Sequence, residues 1–285
     1  MHHHTIVVLL AVWGLVLASR ATATVDSAPA EVTRKIYISA VDAKGAPVTD
    51  LTAADITVKE GGKDRPVVSL QPATGPMQIA ILVDDNGTGA YQAGVFQFIQ
   101  KTIGHAQFSI SMLSPQALRL VDFTEDVEGL KGALGKLGPR GRVQADGDQL
   151  PEAIADSAKA LQQRKAERPV ILALTIAGGM LHSVEPNNIM KTIRSTGAAL
   201  NVVYVTGADL GQVLGDGPRE SGGRVEEAPT GQTIAPAMVR IADSLLNQYQ
   251  LTYTLPDGVK MADRLTVATS RKGIKLTAQS RIADK

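Results

Sequence analysis

Between residues 78 and 248, short apolar segments alternate with segments that have the spacing of amphipathic helices. The segments 169–175 and 199–206 show little of the polar alternation of a half-exposed strand, which is typical of strands covered on both faces. The segments 150–165 and 233–248 repeat apolar residues at helical intervals. This alternation predicts an α/β fold, with a doubly wound and mostly parallel sheet between two layers of helices.

The parts of the chain on either side of this region have a different pattern. Their short segments alternate apolar and polar residues and are separated by glycine turns, as in antiparallel strands. Small isolated sheets are only marginally stable, so we expect the two parts to form one all-β sandwich with the α/β region inserted between its halves. The predicted strands are 35–41, 54–60, 66–70, 250–255, 264–269 and 274–280.

The beginning of the chain predicts secretion. Residues 5–18 are apolar or uncharged, and Ala21-Thr22-Ala23 has the small-x-small form of a signal-peptidase site. The stretch is shorter than the roughly 20 residues of a spanning helix. We expect a cleaved signal peptide and a secreted, periplasmic or cell-envelope protein without a spanning segment after cleavage. The alternative is an uncleaved membrane anchor.

These patterns divide the chain into five predicted parts. They are a signal peptide at 1–23, a linker at 24–33, a first half-sandwich at 34–75, an α/β domain at 76–247 and a second half-sandwich at 248–285.

Composition excludes several classes of function. Lys and Arg number 29 against 28 Asp and Glu, so the net charge of +1 does not predict a nucleic-acid partner. The chain has no cysteine, which excludes disulfides, zinc–thiolate sites and thiol nucleophiles.

The first apolar strand of the central region runs directly into polar residues, and residues 79–89 read IAILVDDNGTG. In doubly wound sheets, ligands bind beyond the carboxyl ends of the strands, so this loop is the candidate functional site. A dinucleotide-binding loop would require a third glycine at position 92, where Gln92 stands. A phosphate site is therefore not expected, and a metal site and a plain turn remain.

Two flanking segments are informative together with this loop. Residues 44–63 read KGAPVTDLTAADITVKEGGK, and residues 222–253 read GGRVEEAPTGQTIAPAMVRIADSLLNQYQLTY. With IAILVDDNGTG they resemble the von Willebrand factor type A domains of a secreted bacterial branch, over residues 35–283. The resemblance implies a type A fold at 76–247 that binds proteins. It also implies a metal-ion-dependent adhesion site for magnesium or manganese, built on an Asp-x-Ser-x-Ser loop.

Carried over to this chain, the resemblance implies Asp84, Asn86 and Thr88 as metal ligands from the first loop. It implies Asp148 from the second loop, where the family has threonine. Ile176 stands where the family has its last aspartate, and it offers no ligand atom. The implied site is therefore degenerate.

One interpretation of this loop is that Mg²⁺ or Mn²⁺ binds there. The carboxylates of Asp84, Asp85 and Asp148 would repel one another unless a cation or a proton lies among them.

The other interpretation is a metal-free connection between a strand and a helix, with no cofactor. Asp85 or Asn86 would cap the helix, and Gly87 and Gly89 would adopt unusual backbone angles. The loss of a ligand at Ile176 favours this second interpretation.

The overall expectation is a secreted, non-enzymatic binding or adhesion module that presents its strand-end loops to a protein partner. Its glycine-rich segment 209–224 is predicted to be mobile. His105 and His182 do not lie near a Gly-x-Ser-x-Gly elbow, so a hydrolase triad is not expected. The predicted partner-contacting residues are Asp84, Asp85, Asn86, Thr88, Asp148, Gln149 and His182.

Two alternatives remain. One is a metal-assisted hydrolase that uses Asp84, Asp85 and Asp148. The other is a structural component that assembles in the envelope.

Overall fold

The computed structural model describes residues 31–141, 149–176, 185–260 and 262–282, in which the strands form three sheets. The first four strands all belong to the two smaller sheets, and a short 3-10 helix, Ala53–Asp55, precedes the second of them. Their bounds are β1 Glu31–Val41, β2 Ile56–Glu60, β3 Lys63–Arg65 and β4 Val67–Pro72.

The largest sheet has six strands in the spatial order β10-β9-β8-β5-β6-β7 and lies between two layers of helices. Its strands are β5 Met77–Asp84, β6 Ala106–Met112, β7 Leu118–Thr124, β8 Arg168–Thr175, β9 Ala199–Val205 and β10 Val225–Ala228. The helices are α1 Gln92–Thr102, α2 Val127–Lys136, α3 Gln149–Gln163, α4 Pro186–Thr196, α5 Gly211–Ser221 and α6 Gly231–Leu246. All neighbouring strands pair in parallel except β7, which is antiparallel to β6. This is the doubly wound arrangement predicted from the sequence.

Residues 79–83 of the strand β5 are all apolar, and they are covered on both faces of the sheet. Ile79, Ile81 and Val83 pack in the layer that contains α1, α2 and α6. Ala80 and Leu82 pack in the layer that contains α3, α4 and α5. Burial of each large aliphatic side chain stabilises the fold by roughly 1.5–3 kcal/mol. The interior position of β5 therefore follows from its composition.

The two ends of the described chain meet in a β-sandwich. After α6 come β11 Tyr249–Pro256, β12 Leu265–Thr269 and β13 Lys275–Ala278. One sheet has the order β13-β1-β11-β4, and the other has the order β12-β2-β3. Apolar side chains of both sheets, such as Ile38, Val58 and Leu251, form a single core. The predicted sandwich with an inserted α/β region is confirmed, whereas the domain boundaries given above stay predictions.

Three segments differ from the expectation. Residues 31–33, assigned to the linker, already pair with β11. The segment 209–224, predicted to be mobile, contains α5, and Val213 and Leu214 of this helix are buried in the core. The strand β10, which was not predicted, completes the edge of the large sheet by pairing with β9.

The predicted signal peptide at 1–23 lies outside the described residues. Within the described ranges, no helix has both the length and the apolar character needed to cross a membrane.

Candidate functional site

The loop at residues 84–89 leaves the large sheet at the carboxyl end of β5. The parallel strands β8 and β6 flank β5 and end at the same edge. They bring Thr175 opposite Asp84 in the sheet register, and Ser114 into the loop that follows β6. The loop therefore lies at the edge of the sheet that the sequence predicted.

Asp85 organises the backbone of this loop. Its side chain is fully buried at 0% exposure, and its Oδ1 and Oδ2 accept hydrogen bonds from Gly87 N at 3.0 Å and Gly89 N at 2.8 Å. The two glycines have φ angles of 76° and 74°, in the left-handed region that glycine adopts without steric penalty. The predicted unusual angles are confirmed. The predicted helix cap is wrong, because Asp85 bonds the loop itself and α1 begins only at Gln92.

Arg140, from the loop after α2, neutralises Asp85. Its Nη2 lies 2.9 Å from Asp85 Oδ1, and its backbone N donates to Gly87 O at 2.8 Å. Its Nη1 donates to the carbonyl oxygens of Lys136 and Gly138. A buried carboxylate requires a partner of opposite charge. Here an arginine of the chain provides that charge.

Asp84 lies in a different environment from its neighbour. It is 6% exposed, and its carboxyl oxygens accept hydrogen bonds from Ser114 Oγ at 2.8 Å and Thr175 Oγ1 at 3.4 Å. Burial is the main cause that raises the pKa of Asp84, and the charge of Asp85 raises it further, whereas the two hydroxyl groups lower it. The raised pKa favours the protonated form. Two adjacent carboxyl groups are thus accommodated by a cation at one and a raised pKa at the other.

Tyr91 connects this loop to the sheet. Its side chain is fully buried, and its hydroxyl donates to Thr175 O at 2.5 Å and Val203 O at 3.3 Å. Burial, followed by the charges of Asp84 and Asp85, raises the pKa of Tyr91, which keeps the phenol neutral and able to donate. It therefore joins the carboxyl ends of β8 and β9 to the start of α1.

Asn86 and Thr88 form the outer part of the loop. Thr88 is exposed, and its Oγ1 donates to Asp85 O at 2.8 Å and accepts from Ala90 N at 3.3 Å. Asn86 has a φ angle of 50°, and its Oδ1 is buried without a hydrogen-bond partner among the described residues. Thr88 is thus accessible to a partner, and Asn86 retains an unused acceptor.

The described side chains do not fit a divalent ion. Mg²⁺ requires about six oxygens in a near-octahedral array. Both oxygens of Asp84 accept hydroxyl groups, Ile176 has no ligand atom, and only Asn86 Oδ1 is unengaged. In the described part of the chain, no group of three or more His, Asp or Glu side chains is placed to hold a metal. The fourth predicted ligand, Asp148, lies outside the described residues.

The structure separates the predicted contact residues into three groups. Asp84 and Asp85 are both buried and engaged internally, so neither side chain is exposed to a partner in this structure, and their role as partner contacts stays a prediction. Thr88 is accessible, and Gln149, at the start of α3, donates from Nε2 to Pro115 O at 3.2 Å. His182, like Asp148, lies outside the described residues, and the predictions for it are unchanged.

Sequence reasoning missed the partners that hold the two aspartates. Ser114, Thr175 and Arg140 lie 30, 91 and 55 positions from the carboxyl groups that they contact. No local pattern links residues at such distances, and only the requirement that a buried carboxylate be paired pointed to such groups.

Comparison with known proteins gives likenesses in structure only. No protein-family model and no curated protein matches the chain. Proximal thread matrix protein 1 from the mussel byssus aligns with a TM-score of 0.48 and 13% identity, over 66% of this chain and 50% of that chain. Another structure of that protein, described with a zinc-occupied MIDAS motif, gives 0.47 and 13%, over 66% and 49%. BatB from Bacteroides thetaiotaomicron gives 0.43 and 13%, over 60% and 100%.

The chain therefore spans about half the length of the mussel protein that it matches. The TM-scores are below 0.5, so these likenesses carry no conclusion about metal, partner or activity. The strand order and the two helical layers are those of a doubly wound α/β fold.

Proposed function

We propose that this chain is a secreted or envelope-associated binding module that docks a protein partner on the carboxyl-end face of its large sheet, without catalysis. The observation that carries the proposal is a loop at the end of the interior strand that is held by internal contacts while Thr88 remains exposed. A loop that is already ordered loses little conformational entropy on binding.

The contacts of Asp85 support a docking face that needs no metal ion. Two backbone N–H groups and the guanidinium of Arg140 engage its carboxylate. These contacts replace the positive charge that a bound cation would bring. We therefore propose a docking face that needs no cofactor, with the implied magnesium or manganese site degenerate.

The chemistry at the face supports binding more than catalysis. Ser114 Oγ donates to the buried carboxyl of Asp84 and is itself buried, so it is not presented as a nucleophile. His105, the histidine in the described part of the chain, directly precedes β6 and so lies at the opposite, amino-terminal edge of the sheet.

A site-specific photocrosslinking experiment tests the proposal. A photoreactive phenylalanine analogue is placed at Thr88, and the matched control carries it at His105, which is also exposed but at the opposite edge. After irradiation of the producing cells, we expect a discrete protein adduct from position 88 and none from position 105. Equal adducts from both positions, or none, would refute docking at this face. An adduct with a second copy of the chain would favour the envelope-assembly alternative.

The metal-assisted hydrolase makes a different prediction. A divalent ion at 100 times its dissociation constant would stabilise the folded protein by roughly 2.7 kcal/mol. We expect no change in melting temperature when magnesium, manganese or calcium is added, or when EDTA removes divalent ions. A rise with any of these ions would contradict the metal-free face.

A further inference from the structure

A cavity of about 220 Å³ opens beside the proposed docking face, between α3 and the strands β6 and β7. Leu82, two residues before Asp84, and Leu113, next to Ser114, are buried side chains of its wall. Leu118 lines the same cavity and is 50% exposed. The cavity therefore combines an apolar floor with an open mouth at the rim of the face.

One side of α3 gives the cavity its polar wall. Gln149, Glu152 and Asp156 all line it, and their spacing of three and four residues places them on one face of the helix. Glu152 lies in the first turn, where the positive end of the helix dipole favours an ionised carboxylate. Glu152 and Asp156 are both exposed.

Gln149 contributes an acceptor that the protein leaves unused. Its Nε2 donates to Pro115 O at 3.2 Å, which fixes the side-chain amide at the entrance. Its Oε1 is buried and has no hydrogen-bond partner among the described residues. A buried acceptor without a donor carries a desolvation penalty, which a donor from a ligand would remove.

Among the described residues that line the cavity, Glu152 and Asp156 carry carboxylates and Arg119 carries a guanidinium. Arg119 lies 3.5 Å from Asp122. Asp156 lies 3.2 Å from Lys159. Within the described part of the chain, Glu152 has no ion pair.

We propose that this cavity receives an arginine side chain of the protein partner. Its aliphatic stem would pack on Leu82, Leu113 and Leu118, while the guanidinium would donate to Glu152, Asp156 and Gln149 Oε1. Arginine fits these acceptors because its planar group carries five N–H donors that point in different directions. This inference rests on the proposed function, since it assigns a specificity subsite to the same face.

Binding of a small probe tests the subsite without the partner. The probe is N-acetyl-arginine amide, titrated into the ¹⁵N-labelled full chain while the amide signals of Ser111, Ala117 and Ala153 are followed by NMR. These residues line the cavity. We expect saturable shifts at these signals, with a dissociation constant on the order of millimolar. N-acetyl-citrulline amide has nearly the same shape without the charge, and we expect no saturable binding of it.

Variants of the acidic wall complete the test. Glu152→Gln is expected to weaken arginine binding about fivefold, and the Glu152→Gln/Asp156→Asn double variant to weaken it further. The matched control, Glu128→Gln, removes an exposed carboxylate from α2 and is expected to leave binding unchanged. Circular dichroism would show that each variant is folded.

Several results would overturn the subsite. They are shifts elsewhere on the surface, equal binding of the citrulline probe, or binding unaffected by Glu152→Gln. An adduct from position 88 combined with any of these would leave the docking function in place and reject only the arginine subsite. Saturable arginine binding without an adduct from position 88 would support the subsite as a binding site and reject the docking face.

Discussion

Asp84 and Asp85 are adjacent in the sequence and chemically similar, yet the structure gives them different roles. Asp85 is an ionic centre for the loop, bonded to two backbone N–H groups and to Arg140. Asp84 is a buried carboxyl group between two hydroxyl groups, and its pKa is raised. The difference arises because successive residues at the end of a strand point in opposite directions and meet different neighbours.

Asp85→Ala should destabilise the protein. The variant leaves two loop N–H groups without their acceptor and Arg140 without its counter-charge, so we expect a loss of about 2–4 kcal/mol. Urea denaturation would measure the free energy of unfolding. The control is Asp64→Ala, which removes an exposed partner of Lys59 and should change stability by less than about 1 kcal/mol. Equal effects of the two substitutions would show that Asp85 does not organise the loop.

Asp84→Asn should change how stability depends on pH. Because folding raises the pKa of Asp84 above its usual value of 3.8, the folded state binds a proton that the unfolded state has lost. In the wild type, the titration of Asp84 therefore lowers the free energy of unfolding as pH rises from about 4 to the pKa of Asp84 in the folded state. The variant lacks the titration, so its stability relative to the wild type should increase over that range. Unfolding at several pH values would measure the difference, and a relative decrease would reverse the assigned sign.

In the segment around α5, packing against the core orders a helix whose glycine content disfavours helix formation. Residues 209–224 contain several glycines, which locally favour disorder, yet Val213 and Leu214 pack in the core and order the helix. Gly223 then allows β10 to approach β9, since a Cβ there would lie only 1.8 Å from Leu200 O. At this element glycine permits close packing, so a glycine-rich composition did not prevent a helix with buried residues.

Two glycine-to-alanine substitutions should have opposite effects. Gly223→Ala forces β10 away from β9 and should destabilise the protein by about 3 kcal/mol or more, or prevent folding. Gly132→Ala, in α2, adds a Cβ that meets no atom within 4 Å and should stabilise by about 0.5–1 kcal/mol. Melting temperatures of the two variants would measure both effects. A Gly223→Ala variant as stable as the wild type would contradict the close approach of the strands.

On the scale of the whole molecule, Arg168 joins the sandwich to the α/β region. It is 4% exposed, and its guanidinium donates to the carbonyl oxygens of Ala73, Gly75 and Leu245 and to Gln248 Oε1. Its charge also lies over the ring of Tyr37, at 5.2 Å from the centroid. These partners belong to the connection before β5, the end of α6 and the strand β1. The side chain of Arg168 therefore links the β-sandwich to the α/β region.

Arg168→Lys tests this link. Lysine keeps the charge but cannot donate in several directions from one plane, so carbonyl groups would lose their donors. We expect a loss of about 2–4 kcal/mol in the free energy of unfolding, measured with urea. Arg119→Lys, at an exposed pair with Asp122, is the control and should have little effect. A small effect at Arg168 would mean that other contacts hold the two parts together.

The features that could be predicted depend on residues close together in the sequence, whereas those that could not depend on contacts between distant residues. Most strands and helices could be predicted because apolar periodicity is local, as in β5, α3 and α6, but the glycine-rich helix α5 was not. Strand β10 could not, because its four residues become a strand only by pairing with β9. At the site, the position of the loop and the angles of Gly87 and Gly89 could be predicted, but the roles of Ser114, Arg140 and Thr175 could not.

The sequence by itself therefore determined the layers, the insertion of the α/β region and the edge of the sheet where the loop lies, because these follow from burial patterns within short segments. Only the tertiary structure decided that Asp85 pairs with Arg140 and that Asp84 is held between hydroxyl groups. It also decided that Gln149 Oε1 meets no donor in the described part of the chain. The physical reason is that the charge state and bonding of a buried polar group depend on what folding places within about 3 Å of it, and such neighbours come from distant parts of the chain.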